Sequence, residues 1–289
     1  MSVHATGQRF AFQGMLVNAA LALIKITAGV LGNAYALIAD GVESMLDIGS
    51  SLVIWSGLKF AAKPPDKDHP YGHGKAEPIA ALVVALVVLA TATGLAVQSV
   101  REIHAPHQAT PKVFTLVVLL GVVVVKEFLF RRVIQLGDDV SSTALKTEAW
   151  HHRSDAITSI AAFIGISIAL VGGKGYEIAD KCAALVACAV IAINGVLLLI
   201  PAFLEIMDTA PAGNVSRAIR ETARTVPGVR EIDKCHVRKM GLEYYVDIHV
   251  LVDSELSVRE GHAIAHDVKD RLRADHPAVR DVLVHIEPA

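Results

Sequence analysis

The chain has 289 residues, of which 53% are hydrophobic, 5% aromatic and 19% charged, and its mean hydropathy of +0.48 is too high for an assembly of soluble domains. A net charge of -2 excludes the basic surface that nucleic acid binding requires. Three cysteines without a CxxC pair exclude a disulfide framework and a thiolate zinc knuckle, leaving Cys182, Cys188 and Cys235 as small apolar side chains.

At the N-terminus, MSVHATGQRF lacks the basic and apolar regions of a removable signal, so the first apolar helix is expected to stay in the membrane. A bilayer core of ~30 Å takes about 20 mostly apolar helical residues. Segments 10–31, 34–60, 78–101, 111–132, 144–171 and 176–206 meet that requirement, which predicts an α-helical membrane protein with six transmembrane helices. Six spans put both termini on one side. Lys59, Lys63, Lys67, Lys75, Arg131, Arg132 and Lys146 outnumber Arg101, Lys112 and Lys174 of the opposite loops, which places both termini in the cytoplasm.

The first span contains Asn18 and Lys25, and the sixth contains Asp180 and Lys181; each is expected to find a hydrogen bond or charge partner inside the bundle. In the second span Asp40, Glu43 and Asp47 fall along one helix face, with Asp40 nearer the start as an entrance or supporting residue. The following loop, DKDHPYGHGKAE, holds Asp66, His69 and His73. That spacing fits a metal site as well as it fits a solvated loop with incidental histidines. In the fifth span His151 and Asp155 are one helical turn apart and face the same side, while His152 turns about 100° away.

Pro211 and Gly213 mark a break, dividing the chain into a membrane domain, 1–208, and a tail, 209–289. In the tail Asn214 is expected to cap a helix to about Thr225, followed by strands Val229 to Arg238 and Tyr244 to Val252 joined at Gly241. A helix from Val258 to Ala274 and a strand from Val279 to His285 complete a small α+β sheet with helices on one face. His249, His262, His285 and Glu287 are scattered along these elements, and their meaning depends on whether the fold brings them together.

Ionisable groups inside apolar helices are costly and usually serve ion or proton pathways. If the second and fifth spans face each other, Glu43, Asp47, His151 and Asp155 converge as three carboxylates and one imidazole. That donor set suits Zn2+ and admits Fe2+, Co2+, Mn2+ or Cd2+. Because these ligands must be deprotonated to bind, metal entry releases protons, a basis for metal/proton exchange. There is no GxxxxGK phosphate loop and no HExxH pair, so neither nucleotide-driven pumping nor a zinc hydrolase helix is indicated. An intramembrane metalloenzyme and a non-transporting metal sensor are the alternatives.

The carboxylate pair Glu43/Asp47, the HxxxD pair His151/Asp155, the HPYGHGKAE loop and the final VHIEP, in this order, resemble the cation diffusion facilitator family over essentially the whole chain. The family pattern has His or Asp where this chain has Glu43. The resemblance implies an antiporter that exports a divalent cation, Zn2+ first among them, by alternating access. It also implies a homodimer with ferredoxin-like, metallochaperone-like cytoplasmic tails. Glu43, Asp47, His151 and Asp155 would form the transport site, and Asp66, His69 and His73 a loop site. His249, His262, His285 and Glu287 would form a regulatory tail site, with Asp233 where zinc-rich members often have His. Lys75 and Asp208 match positions that form a charge interlock at the dimer interface. The compact six-span form without a targeting segment sets the expectation of a bacterial inner membrane.

Overall fold

The computed structural model describes the backbone of residues 3–104, 110–139, 143–173, 175–211, 213–241 and 243–289, and their side chains apart from 3–15, 136–139, 143–152 and 154. Six long helices come first: α1 (Val3–Gly32), α2 (Tyr35–Ala61), α3 (Ala76–Ile103), α4 (Phe114–Asp139), α5 (Thr143–Gly172) and α6 (Ile178–Ile206). They correspond one to one with the predicted apolar segments. Among the described residues, Ala76–Ile103, Asp155–Gly172 and Ile178–Ile206 are long and apolar enough to cross a membrane. The tail consists of α7 (Val215–Arg224), β1 (Glu231–Met240), β2 (Glu243–Val252), α8 (Val258–Asp275) and β3 (Val279–Pro288).

The chain forms two compact units, one of Met1–Leu52 with Val84–Leu197 and one of Val53–Val83 with Leu198–Ala289. The interior of the first is built largely from small side chains. Ala34, just before α2, and Ala36, Leu37 and Ala39 at its start belong to one core with Leu119 of α4, Ala162 and Ile166 of α5, and Ala184 of α6. Large apolar side chains point outward instead: Val117 is 70% exposed and Ile157 62%. Small residues inside and large ones outside are what a bundle solvated by lipid requires. Gly41 shows why: a Cβ there would stand 2.7 Å from Ile26 Cγ1, so its absence lets α1 approach α2 beside Lys25 and Asp40. Asp180 of α6 closes the other end of this core by accepting the first N–H groups of α2, from Tyr35 at 2.8 Å and Ala36 at 3.1 Å.

In the second unit the sheet has the order β1-β2-β3, with β1 antiparallel and β3 parallel to β2. Val246, Ile248, Val250 and Val252 alternate along β2 toward a core completed by Ile219 and Ala223 of α7 and Val268 and Leu272 of α8. The opposite face of β2 therefore carries Asp247 and His249. Ser257 and Glu260 form a reciprocal capping box that fixes the start of α8. Asn214 does precede α7, but its side chain makes no capping bond; with φ -95 and ψ 14 it lies outside the extended region from which a cap reaches back. The loop after α2 runs close to the β1–β2 hairpin at Gly74, where a Cβ would stand only 2.6 Å from the Met240 carbonyl oxygen.

Candidate functional site

The helical repeat brings Asp40, Glu43 and Asp47 to one side of α2, but their surroundings differ. Asp40 is 2% exposed and is held through its Oδ2. Its Oδ2 lies 2.9 Å from Lys25 Nζ of α1 and accepts from Ser159 Oγ of α5 at 2.8 Å, while Thr158 Oγ1 approaches Oδ1 at 3.5 Å. Lys25 also donates to Ser44 Oγ at 3.2 Å. Asp40 therefore ties α1, α2 and α5 together. Asp155, buried on α5, has its Oδ2 2.5 Å from Lys126 Nζ of α4, and the same ammonium donates to Asn18 Oδ1 of α1 at 2.9 Å.

Glu43 lies in electrostatic range of Asp47, Asp40, Asp155 and Lys25, so the acids of α2 and α5 share one region. Its Oε2 is buried and has no hydrogen-bond partner among the described residues. Such a buried acceptor calls for a partner beyond the described side chains. The side chain of His151, the fourth predicted ligand, lies outside the described residues. Lys126 is the partner that sequence reasoning missed. The available signal was an ionisable residue directly after the charge-free run Val113 to Val125.

In the loop, Asp66, His69 and His73 offer ligand atoms that all lie within 4.8 Å of one another. The Asp66 carboxylate accepts the backbone N–H groups of His69 at 2.7 Å and Asp68 at 3.0 Å, an Asx turn that presents it to the two rings. The bond from the His69 backbone, with further help from the His69 ring and the Asp68 N–H, holds this carboxyl below the usual range. His69 Nδ1 stands 3.1 Å from Oδ1, and His73 Nε2 stands 3.4 Å from Oδ2. His73 is itself buried.

A second cluster forms in the tail from His249, His285 and Glu287, again within 4.8 Å. Strand pairing creates it: β2 and β3 are parallel with His249 opposite His285, and Glu287 follows two residues on along the same face. Glu287 Oε1 is 2.7 Å from His249 Nδ1 and 3.6 Å from His285 Nε2. Asp233 and His262 are not members of this cluster. Asp233 is beside Lys234 at 3.5 Å, and His262 Nε2 is 3.2 Å from His266 Nε2 one turn along α8. Lys75 and Asp208 pair within a single chain, Nζ to Oδ1 at 2.5 Å, and Lys75 also donates to the Glu205 carbonyl at 2.7 Å. The Glu205 carboxylate receives Lys239 Nζ at 2.8 Å and the Gly241 N–H at 3.2 Å.

Residues 11–207 match the model of the cation efflux transmembrane domain, and residues 211–289 match that of the cation efflux protein cytoplasmic domain. Metal tolerance protein C1 of Arabidopsis thaliana is 30% identical over 298 residues, a match covering 98% of this chain and 63% of the plant protein. Manganese efflux system protein MneP of Bacillus subtilis is 27% identical over 285 residues, covering 97% of this chain and 96% of that protein. Magnetosome protein MamB of a Magnetospira species is 30% identical over 272 residues, covering 94% and 92%.

Proposed function

The chain belongs to the cation efflux family, whose members are membrane transporters and not enzymes, and from that premise we propose that it exports a divalent metal cation in exchange for protons. The observation that carries this reading is the buried Oε2 of Glu43, without a hydrogen-bond partner among the described residues and in electrostatic range of Asp40, Asp47 and Asp155. Glu43, Asp47, His151 and Asp155 take the cation when deprotonated on the cytoplasmic side, and protons displace it on the other. Asp40, whose Oδ2 is engaged by Lys25 and Ser159, holds α1 and α5 against α2 and does not ligate. The pairs of helices rock around this fixed site.

In the same reading α1 to α6 all span a bacterial plasma membrane, residues 1–208 form the transport domain, and residues 209–289 form a cytoplasmic dimerising tail. The protein works as a homodimer. The loop cluster and the tail cluster bind regulatory metal and shift the population of transport states, and Lys75 with Asp208 steadies the region between them. Asp233 and His262 lie outside the tail cluster, so its metal is held by His249, His285 and Glu287.

Zn2+ is the first cargo, because one imidazole with carboxylates makes a tetrahedral N/O site. Mn2+ is the second reading. It is favoured by the carboxylate of Glu43, which makes the donor set richer in oxygen, and by the likeness to a protein named for manganese efflux. The test is uptake of Zn2+ and Mn2+ by proteoliposomes carrying native protein, Asp47→Ala or Asp155→Ala. Both variants should lose about 10-fold or more of the rate while remaining folded. Native rates in both would overturn the assignment.

A further inference from the structure

Lys126 follows the charge-free run of α4 and is 1% exposed, yet its ammonium is bonded to an acid assigned here to the transport site. We propose that Lys126 is a tethered cation that competes with the transported metal for Asp155, and that Asn18 receives its ammonium when metal binds. The inference rests on the reading that Asp155 ligates the cargo.

Two observations separate Lys126 from an ordinary structural charge pair. The first is the identity of its partner. Lys25 is held on Asp40, which the Ser159 hydroxyl of α5 also engages and which the cargo does not need. Lys126 sits on Asp155 Oδ2 at 2.5 Å, on the carboxylate that a metal ion would use. Two cations drawn to one buried carboxylate repel each other at this distance, so metal binding drives the ammonium away. The second is the presence of another acceptor on a third helix. Asn18 Oδ1 is already 2.9 Å from Nζ, so the ammonium can swing away from Asp155 without losing every partner. A buried lysine that lost its only acceptor would be strongly opposed.

This arrangement gives the site a way to let go. The ammonium opposes metal binding by a fixed amount, and its return to Asp155 accompanies release. A transport site must capture its cargo but not hold it, and a built-in competitor meets both requirements.

The experiment measures Zn2+ binding to purified full-length protein in lipid nanodiscs at one fixed pH, taking as transport-site binding the part lost in Asp155→Asn. Lys126→Met should bind about tenfold tighter, with a slower turnover in proteoliposomes, and Lys126→Arg should stay within about threefold of native. Asn18→Leu, which removes the second acceptor but leaves the ion pair, should bind several-fold weaker. A merely structural pair predicts weaker binding in both Lys126→Met and Asn18→Leu. Unchanged or weaker binding by a folded Lys126→Met overturns the competition. Should that variant not fold, Lys126→Gln takes its place: tighter binding supports the competition, and unchanged or weaker binding overturns it. Native uptake by Asp155→Asn would remove the transport assignment itself. Lost uptake in that variant with unchanged affinity in Lys126→Met would remove only the role of Lys126.

Discussion

An acid inside an apolar helix is stable when a hydroxyl group and a counter-ion hold it, when an ammonium pairs with it, or when a ligand completes it. Asp40 is held by Lys25 and Ser159, Asp155 is paired, and Glu43 has a buried oxygen that nothing among the described residues engages. The different environments give different mutational signatures. Lys25→Met strands the Asp40 carboxylate in the interior and should cost about 3–5 kcal/mol, read as a lowered thermal midpoint. Adding Asp40→Asn to that variant should recover a large part of the loss, because the uncompensated charge is gone. Glu43→His exchanges an oxygen donor for a nitrogen donor without disturbing the neighbouring pairs. It should shift competition uptake toward Zn2+ and away from Mn2+; an unchanged preference would show that residue 43 does not set the metal.

The elements separate what local pattern encodes from what only pairing supplies. Asp180→Ala removes the acceptor for two N–H groups at the start of α2 and should cost about 1–2 kcal/mol, measured by thermal unfolding in detergent. From sequence, Asp180 announced only that it needed a partner; that the partner is the end of another helix depends on how α6 lies against α2. The tail was legible in more detail. Val246, Ile248 and Val250 alternate with Asp247 and His249 and mark β2 directly, and the strand and helix limits fall within a few residues of those expected. The meeting of His249 and His285 was not legible, because 36 positions separate them and only the parallel pairing of β2 with β3 makes them neighbours. Lys126 escaped for a related reason: the expected span 111–132 contains it, but its partners Asp155 and Asn18 lie on other helices. Zn2+ should raise the thermal midpoint of the native protein, and His285→Ala should remove part of that gain. Equal gains in both would exclude the tail cluster as a metal site.

At the scale of the molecule, the second unit is laced together by Glu205, Lys75, Asp208 and Lys239. Glu205 accepts from Lys75 through its carbonyl and from Lys239 and Gly241 through its carboxylate, so the end of α6 meets both the loop and the β1–β2 hairpin. Burial alone would lower the Lys239 ammonium, but the hydrogen bond and charge of Glu205, with the charge of Glu77, hold it above its ordinary 10.5. A cation raised in this way adds stability that is complete below the unfolded value and is lost as pH rises through the folded one. The hairpin should therefore stay attached at neutral pH and loosen only in strongly alkaline solution. Hydrogen exchange at Gly241 read against pH checks this, with Lys239→Met already loosened at pH 7.

The central claim is that a divalent cation and protons exchange through the carboxylates of α2 and α5. Its most direct test loads sealed proteoliposomes with a pH-sensitive dye and adds Zn2+ outside. The native protein should turn the lumen alkaline as metal enters and protons leave, and Asp155→Ala should do neither. Metal entry without proton movement, or the same proton signal from Asp155→Ala, would contradict the account.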